Sequence, residues 1–324
     1  MAGQRLMVGF NGTELNDRLK FLIKNIKVGG VVLFSRNISS PNQLKELCLS
    51  IHDYTASIDE PPLFISIDQE GGKVARLKEP FTIFPGNSKM EKEEDALYFA
   101  SVTSKELKEC DINMDLAPVM DIAPKDIKSI MEGRAFGSDS EWVSLMGSIV
   151  IENLQKNKIM AVAKHFPGIG RTVADSHLDL PVLDADLESL ESFDLKPFQS
   201  AINSDVAGIM LSHIIYKKID PDFPASLSPK IARDLLRSQM KFNGIVMTDD
   251  LDMGAIEKHY DFKLSINQIL ISEIDIITIC HESPKIDTAF EEVLKQLKDS
   301  PEMKKKGMES VERILKIKRK YLTN

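Results

Sequence analysis

Short runs of apolar residues alternate along the chain with longer stretches in which apolar positions recur every three to four residues. The runs are RLMVGF (Arg5 to Phe10), GGVVLF (Gly29 to Phe34), PLFISID (Pro62 to Asp68) and INMDLAPVMD (Ile112 to Asp121). They continue as IMAVAKHF (Ile159 to Phe166), AGIMLSHI (Ala207 to Ile214), GIVMTDD (Gly244 to Asp250) and IDIITIC (Ile274 to Cys280). A continuous apolar run of this length reads as a strand buried on both faces, the mark of a parallel sheet. Between the runs, ELNDRLKFLIKNIK sets Leu15, Leu19, Leu22, Ile23 and Ile26 on one helical stripe. Similar stripes span 42–51, 91–109, 140–157, 187–202, 229–240, 262–272 and 287–298, and a Lys-rich amphipathic segment ends near Tyr321. Strands each followed by a helix, eight in all, predict an α/β fold, a (β/α)8 TIM barrel, as a single domain over 1–324. One misread strand would turn the barrel into an open, Rossmann-like sheet. No GxGxxG follows the first strand, which argues against dinucleotide binding.

Composition narrows the class. Of 324 residues, 43% are hydrophobic and 28% charged, which excludes a disordered or fibrous chain. The net charge of −8 argues against nucleic acid or an anionic membrane as a partner. No apolar run approaches the ~18 residues of a membrane span. MAGQRLMVGF lacks the apolar stretch and cleavage site of a signal peptide, so a cytoplasmic location is expected. Cys48, Cys110 and Cys280 are odd in number and form no CxxC, which fits buried thiols in a reducing compartment. A monomer is the default expectation. The basic C-terminal helix is expected to be a packed surface helix.

In such a barrel the active site lies where strands run into the following loops. Those ends carry Asp68, with Arg76 just beyond; Asp121, with Arg134 beyond; Lys164 and His165; His213; and Asp249 and Asp250. Ionisable groups at the ends of apolar strands are costly unless paired or used. His213 alone reads more simply as structural. Together, these groups at one mouth point to a site that grips a polar ligand through many hydrogen bonds. After His165 comes FPGIGRTVADSHLDLP. In an extended segment, Asp175 and His177 project to the same side, so the carboxylate can fix the imidazole tautomer while the other ring nitrogen moves a proton. The plainer reading is an Asx turn beside a solvated histidine.

KHFPGIGRTVADSHLDLP closely resembles the KHFPGHGxxxxDSHxxLP signature of family 3 glycoside hydrolases, in particular their bacterial β-N-acetylglucosaminidases. GGVVLFSRNI, ISIDQEGGKVARL, NMDLAPVMD, GRAFG, PASLSP and GIVMTDDLDM resemble further family motifs, in the family's order. The resemblance implies that Asp249 is the catalytic nucleophile, His177 the general acid/base and Asp175 its orienting partner. It also implies that Asp68, Arg76, Arg134, Lys164 and His165 bind the terminal N-acetylglucosamine, and that no metal or organic cofactor is needed. The implied activity is retaining removal of terminal non-reducing β-linked GlcNAc through a covalent glycosyl-aspartate. The implied substrate is a GlcNAc-containing saccharide, with peptidoglycan-derived muropeptides suggested by family analogy.

The chain departs from the family pattern at Ile169, where the second His of the signature stands, so that loop is expected to pack differently. Ala135, Thr248 and Lys73 are milder changes. The glycine-containing loop predicts that His177 moves in and out of the site during turnover. Lys164 would help keep Asp249 ionised if the two were close. Other readings are a family member specific for another sugar, a phosphorylase, and a sugar-binding module without chemistry. A metal-dependent hydrolase would use His165, Asp175, His177, His213 and Asp249 as ligands.

Overall fold

The computed structural model describes every residue except Ala174, Asp175, His177, Leu178 and Asn324. Two positions singled out above, Asp175 and His177, therefore lie outside the described residues.

Eight parallel strands close a barrel: β1 Leu6–Val8, β2 Gly30–Leu33, β3 Phe64–Ile67, β4 Met114–Asp115, β5 Met160–Phe166, β6 Gly208–Leu211, β7 Ile245–Asp250 and β8 Ile276–Ile279. Each strand pairs with its sequence neighbours, and β8 pairs with β1 to complete the ring. The surrounding helices include α1 Asp17–Phe21, α2 Pro41–Ser57, α3 Glu93–Glu109, α4 Ser140–Lys156 and α5 Leu195–Asn203. They continue with α6 Phe262–Ile271, α7 Lys285–Asp299 and α8 Pro301–Leu322, and a wide π-type helix, Lys230–Gln239, joins β6 to β7. Local chemistry sets several starts. Ser40, Asp139, Asp261 and Ser300 accept from the backbone N–H three residues on, and Pro41 and Pro301 occupy first helical positions that need no donor.

The strands are apolar on both faces because each face meets a different core. Leu6, Val8, Ile65, Ile67, Ala161, Ala163, Ile209 and Val246 point out to the helices. Met7, Val32, Phe64, Met160, Val162, Ile245, Met247 and Ile276 fill the barrel. Helix α8 does more than cover a surface. It crosses the barrel floor, where Ile314 and Ile317 join the interior cluster. Lys318 is buried there beneath the Phe64 ring, with its Nζ donating to Gln4 Oε1 at 2.9 Å.

The returns from helix to strand follow one pattern. Lys27, Asp59, Asp111, Lys158, Asp205, Lys241 and Glu273, which precede β2 through β8 in turn, all sit at φ between 53° and 69°. Left-handed residues commonly end helices, but glycine is the residue that adopts this conformation without a Cβ penalty.

Candidate active site

The strand alternation that fills the barrel also builds its mouth. Side chains two residues apart share a face, so the inward columns continue upward from Phe64 to Asp68, from Val162 to Lys164, and from Met247 to Asp249. Two register shifts enrich the rim. Beside β6, one extra residue enters β5 between Lys164 and Phe166, so His165 joins Lys164 at the cavity. Beside β8, an extra residue enters β7 between Met247 and Asp250. Asp68, Arg76, Arg134, Lys164, His165 and Asp249 all line one open-mouthed cavity of about 120 Å3, together with Glu70 and the apolar Val32, Leu116 and Met210. Roomier clefts lie elsewhere, including one of about 590 Å3 near His52, Lys108 and Tyr321, and neither that cleft nor a second near Lys73 and Thr82 gathers the strand-end carboxylates.

The charges in the cavity form a chain. Lys164 Nζ lies 2.7 Å from Asp68 Oδ1 and 2.7 Å from Glu70 Oε1. Arg76 donates to Asp68 Oδ2 at 2.9 Å, and Arg134 grips Glu70 through two bonds of 2.9 and 2.7 Å. Burial by itself pushes the Asp68 carboxyl up, but Lys164 and then Arg76 overrule it and hold it well below the usual carboxylate range. Glu70 is likewise lowered against its own burial by Lys164 and Arg134. Burial lowers Lys164, and Asp68 and Glu70 more than restore it. The site is thus a lattice of buried groups that hold one another in their charged forms at the cavity wall. Lys164 is occupied by Asp68 and Glu70, so among the described residues its ion pairs do not extend to Asp249. Phe34 braces the rim, with Arg36 over its ring at 4.5 Å and Arg76 at 5.2 Å.

Asp249 Oδ1 accepts from the backbone N–H of Asp250 at 2.8 Å. The next carboxyl, Asp250, is pushed up to about 6 by burial, against the N–H groups of Cys280 and Asp252 that bond it. His213 is buried, its Nδ1 paired with Ser226 Oγ at 2.6 Å and its Nε2 with the Asp250 carbonyl at 2.8 Å. Both nitrogens are therefore occupied in holding the end of β7, which favours the structural reading of His213 over metal ligation. The described carboxylates and histidines that do cluster, Asp250, Asp252 and His281, already have the Lys285 ammonium 2.9 Å from Asp252 Oδ1.

The loop after β5 is tied to the segment after β7. The carbonyl of Ser176, the residue between Asp175 and His177, accepts from Ala255 N at 3.1 Å. Asp179 Oδ1 meets His259 Nε2 at 2.5 Å. Ile169 is buried in the core, and its N–H donates to Asp121 Oδ1 at 2.8 Å, so at this departure from the family signature an apolar side chain packs inward. The sequence pattern gives no role to Glu70 or Phe34, and it places Asp121 only among the strand-end groups at the mouth. The signal for Glu70 was its place in DQEGG, two residues beyond Asp68, but its partners Arg134 and Lys164 are 64 and 94 positions away in the chain.

The glycosyl hydrolase family 3 N terminal domain matches residues 2–317. The chain belongs to this family. It is accordingly a glycoside hydrolase, built on the barrel expected from its sequence. A protein of Nitrosomonas eutropha named beta-hexosaminidase is 34% identical over 291 residues, 87% of this chain and 82% of that protein. The structure of a family 3 beta-N-acetylglucosaminidase from Paenibacillus sp. str. FPU-7 superposes with a TM-score of 0.93 at 34% identity, over 99% of this chain. The chain spans 62% of that longer protein. A beta-N-acetylhexosaminidase from Beutenbergia cavernae gives a TM-score of 0.88 at 26% identity, covering 98% of this chain and 97% of that one. The family 3 motifs fall at the cavity: DQEGG contributes Asp68 and Glu70, KHF contributes Lys164 and His165, and TDDLDM contributes Asp249.

Proposed function

We propose that this family 3 hydrolase is a retaining exo-β-N-acetylglucosaminidase. Its substrates are saccharides ending in β-linked GlcNAc, with peptidoglycan-derived muropeptides as the natural class, met in the cytoplasm by a single-domain monomer. The observation that carries the reading is the small cavity that joins Asp249 to the Asp68–Lys164–Glu70–Arg134 lattice. A cavity on the scale of one sugar ring suits removal of a terminal residue, and its hydrogen-bonding walls suit a ligand covered in hydroxyls.

Retention requires a carboxylate on one face of the anomeric carbon and a proton donor near the leaving oxygen. In this reading Asp249 attacks C1, and the C1–O bond breaks as His177 gives its proton to the departing oxygen. The glycosyl-aspartate is then opened by a water whose proton returns to His177. Asp175 holds the imidazole and stabilises its charged form. The anionic Asp249 also stabilises the positive charge that grows on the sugar in the transition state. Fixed contacts from Asp68, Arg76, Lys164 and His165 convert binding of remote hydroxyls into orientation at C1. The bond from Ala255 to Ser176 and the contact between Asp179 and His259 support bringing the His177 loop to the strand of Asp249. Turnover of p-nitrophenyl N-acetyl-β-glucosaminide, followed by NMR of the released sugar, tests the reading. Initial release of the β anomer supports it, and initial release of the α anomer contradicts it.

A further inference from the structure

Asp121 is a fully buried carboxylate that the two-step scheme does not use. It ends the apolar run of β4, beyond the strand itself. No lysine or arginine among the described residues comes within ion-pair distance of it. Its neighbours are instead three N–H positions from the end of β5 and the loop that follows. Oδ2 accepts from the His165 backbone N–H at 3.2 Å and lies 2.7 Å from His165 Nδ1. Oδ1 accepts from Ile169 N–H at 2.8 Å.

A carboxylate can only accept, so a 2.7 Å contact requires the proton to sit on Nδ1. The other nitrogen is then a lone pair in the neutral ring and a second N–H in the imidazolium. His165 lines the cavity, and among the described residues no protein group bonds its Nε2. Most other polar side chains around the cavity are ionisable: Lys164, Arg76 and Arg134 on one side, Asp68, Glu70 and Asp249 on the other; the Thr278 hydroxyl is spent on the Thr248 carbonyl, and Cys280 adds a thiol. A neutral imidazole would differ from the lysine, arginine and carboxyl groups by offering one directed lone pair.

We propose that Asp121 is a positioning residue that holds His165 as the neutral Nδ1–H tautomer, so that Nε2 reads one sugar hydroxyl as a hydrogen-bond donor. The proposal rests on the reading of the cavity as a sugar site. It also gives Asp121 a second task. The same carboxylate fixes Ile169, at the root of the loop that bears His177, so the sugar-reading imidazole and that loop share one anchor. Removing a partner from a directed bond in a binding cavity weakens binding by about tenfold or more. A hydroxyl that must donate is lost equally by deletion and by replacement with fluorine, because fluorine accepts weakly and cannot donate. A hydroxyl that accepts from Nε2–H would be partly replaced by fluorine.

The test begins with the wild-type enzyme and needs no turnover. NMR of protein labelled at its histidine ring nitrogens, with His165 assigned by the signal missing from His165→Gln, reports the tautomer directly. The expected spectrum near neutral pH shows a protonated Nδ1 and an unprotonated Nε2. An Nε2–H tautomer, or an imidazolium, overturns the proposal. Competition binding then uses GlcNAc and its deoxy and fluoro analogues at each ring hydroxyl in turn. The expectation is that the position read by Nε2 loses about tenfold with both analogues, and that it is told from hydroxyls donating to Asp68 or Glu70 by its response to Asp121→Asn. Fluorine rescue at that position in the wild type contradicts the proposal. In Asp121→Asn, an amide oxygen kept on Ile169 N–H turns the NH2 group to Nδ1 and gives up the bond from the His165 backbone N–H; in that orientation the proton shifts to Nε2. Rescue by fluorine should then appear in this variant. If GlcNAc does not compete at all while NMR shows the Nδ1–H form, the sugar reading falls and the hydroxyl assignment falls with it; the tautomer result separates this failure from the others.

Discussion

Replacing Lys318 with methionine should stabilise the protein at neutral pH and do less at alkaline pH. The side chain lies in the barrel floor, where burial lowers its pKa from 10.5 to about 7 against a weaker opposing pull from Glu60. In the unfolded chain the group returns to its ordinary range. Between about pH 7 and pH 10 the unfolded state therefore binds more protons than the folded one, and linkage makes wild-type stability rise with pH across that window. Going from about pH 7 to about pH 9 should add about 2 kcal/mol from this group alone. The methionine variant has no such group. It loses the bond to Gln4 Oε1, at a cost of about 1 kcal/mol that does not depend on pH. Urea unfolding of both proteins at the two pH values measures the difference, and other titrating groups cancel in the comparison. The variant's advantage should shrink by about 2 kcal/mol between the lower and the higher pH. A difference that stays constant with pH would refute the assignment of a neutralised lysine to the floor.

Glu70→Ala leaves Lys164 and Arg134 without a shared carboxylate in a buried site, so it should lower unfolding stability by about 3–5 kcal/mol and raise KM, measured by denaturation and steady-state kinetics. Lys241→Gly relieves a left-handed residue in the return to β7, and it should raise stability by about 0.5–1 kcal/mol in the same denaturation assay, since glycine's added chain entropy offsets part of the relief. The pH profile of kcat/KM should be a bell around neutrality, because His177 must give and then take a proton; an optimum well below about pH 5 would point to a carboxylic acid donor.

Much of this fold follows from two periods in the sequence. The eight apolar runs all become barrel strands because burial on both faces leaves no room for polar alternation, and the same period of two carries Asp68, Lys164 and Asp249 to the mouth. In the run Ile112 to Asp121 the continuous strand is only Met114–Asp115, yet Leu116 to Met120 still bond to the neighbouring strands, with Val119 bridged to Lys164, before the chain delivers Asp121. Hydrophobicity alone cannot tell a strand from a buried loop. The floor was harder to see. A basic amphipathic pattern describes α8 well, yet it does not reveal that Lys318 turns inward to meet Gln4, 314 positions earlier. Pairings of this kind, like Glu70 with Arg134 and Asp121 with His165, depend on which strand ends become neighbours, and a linear pattern carries no record of that.

The chemistry assigned to Asp249 is tested most directly by trapping. The enzyme is incubated with a slow fluorinated GlcNAc donor, digested, and its peptides are weighed by mass spectrometry. The account predicts one added sugar on the peptide that contains Asp249. A sugar on any other acid, or no adduct from an enzyme that turns the donor over, would contradict it.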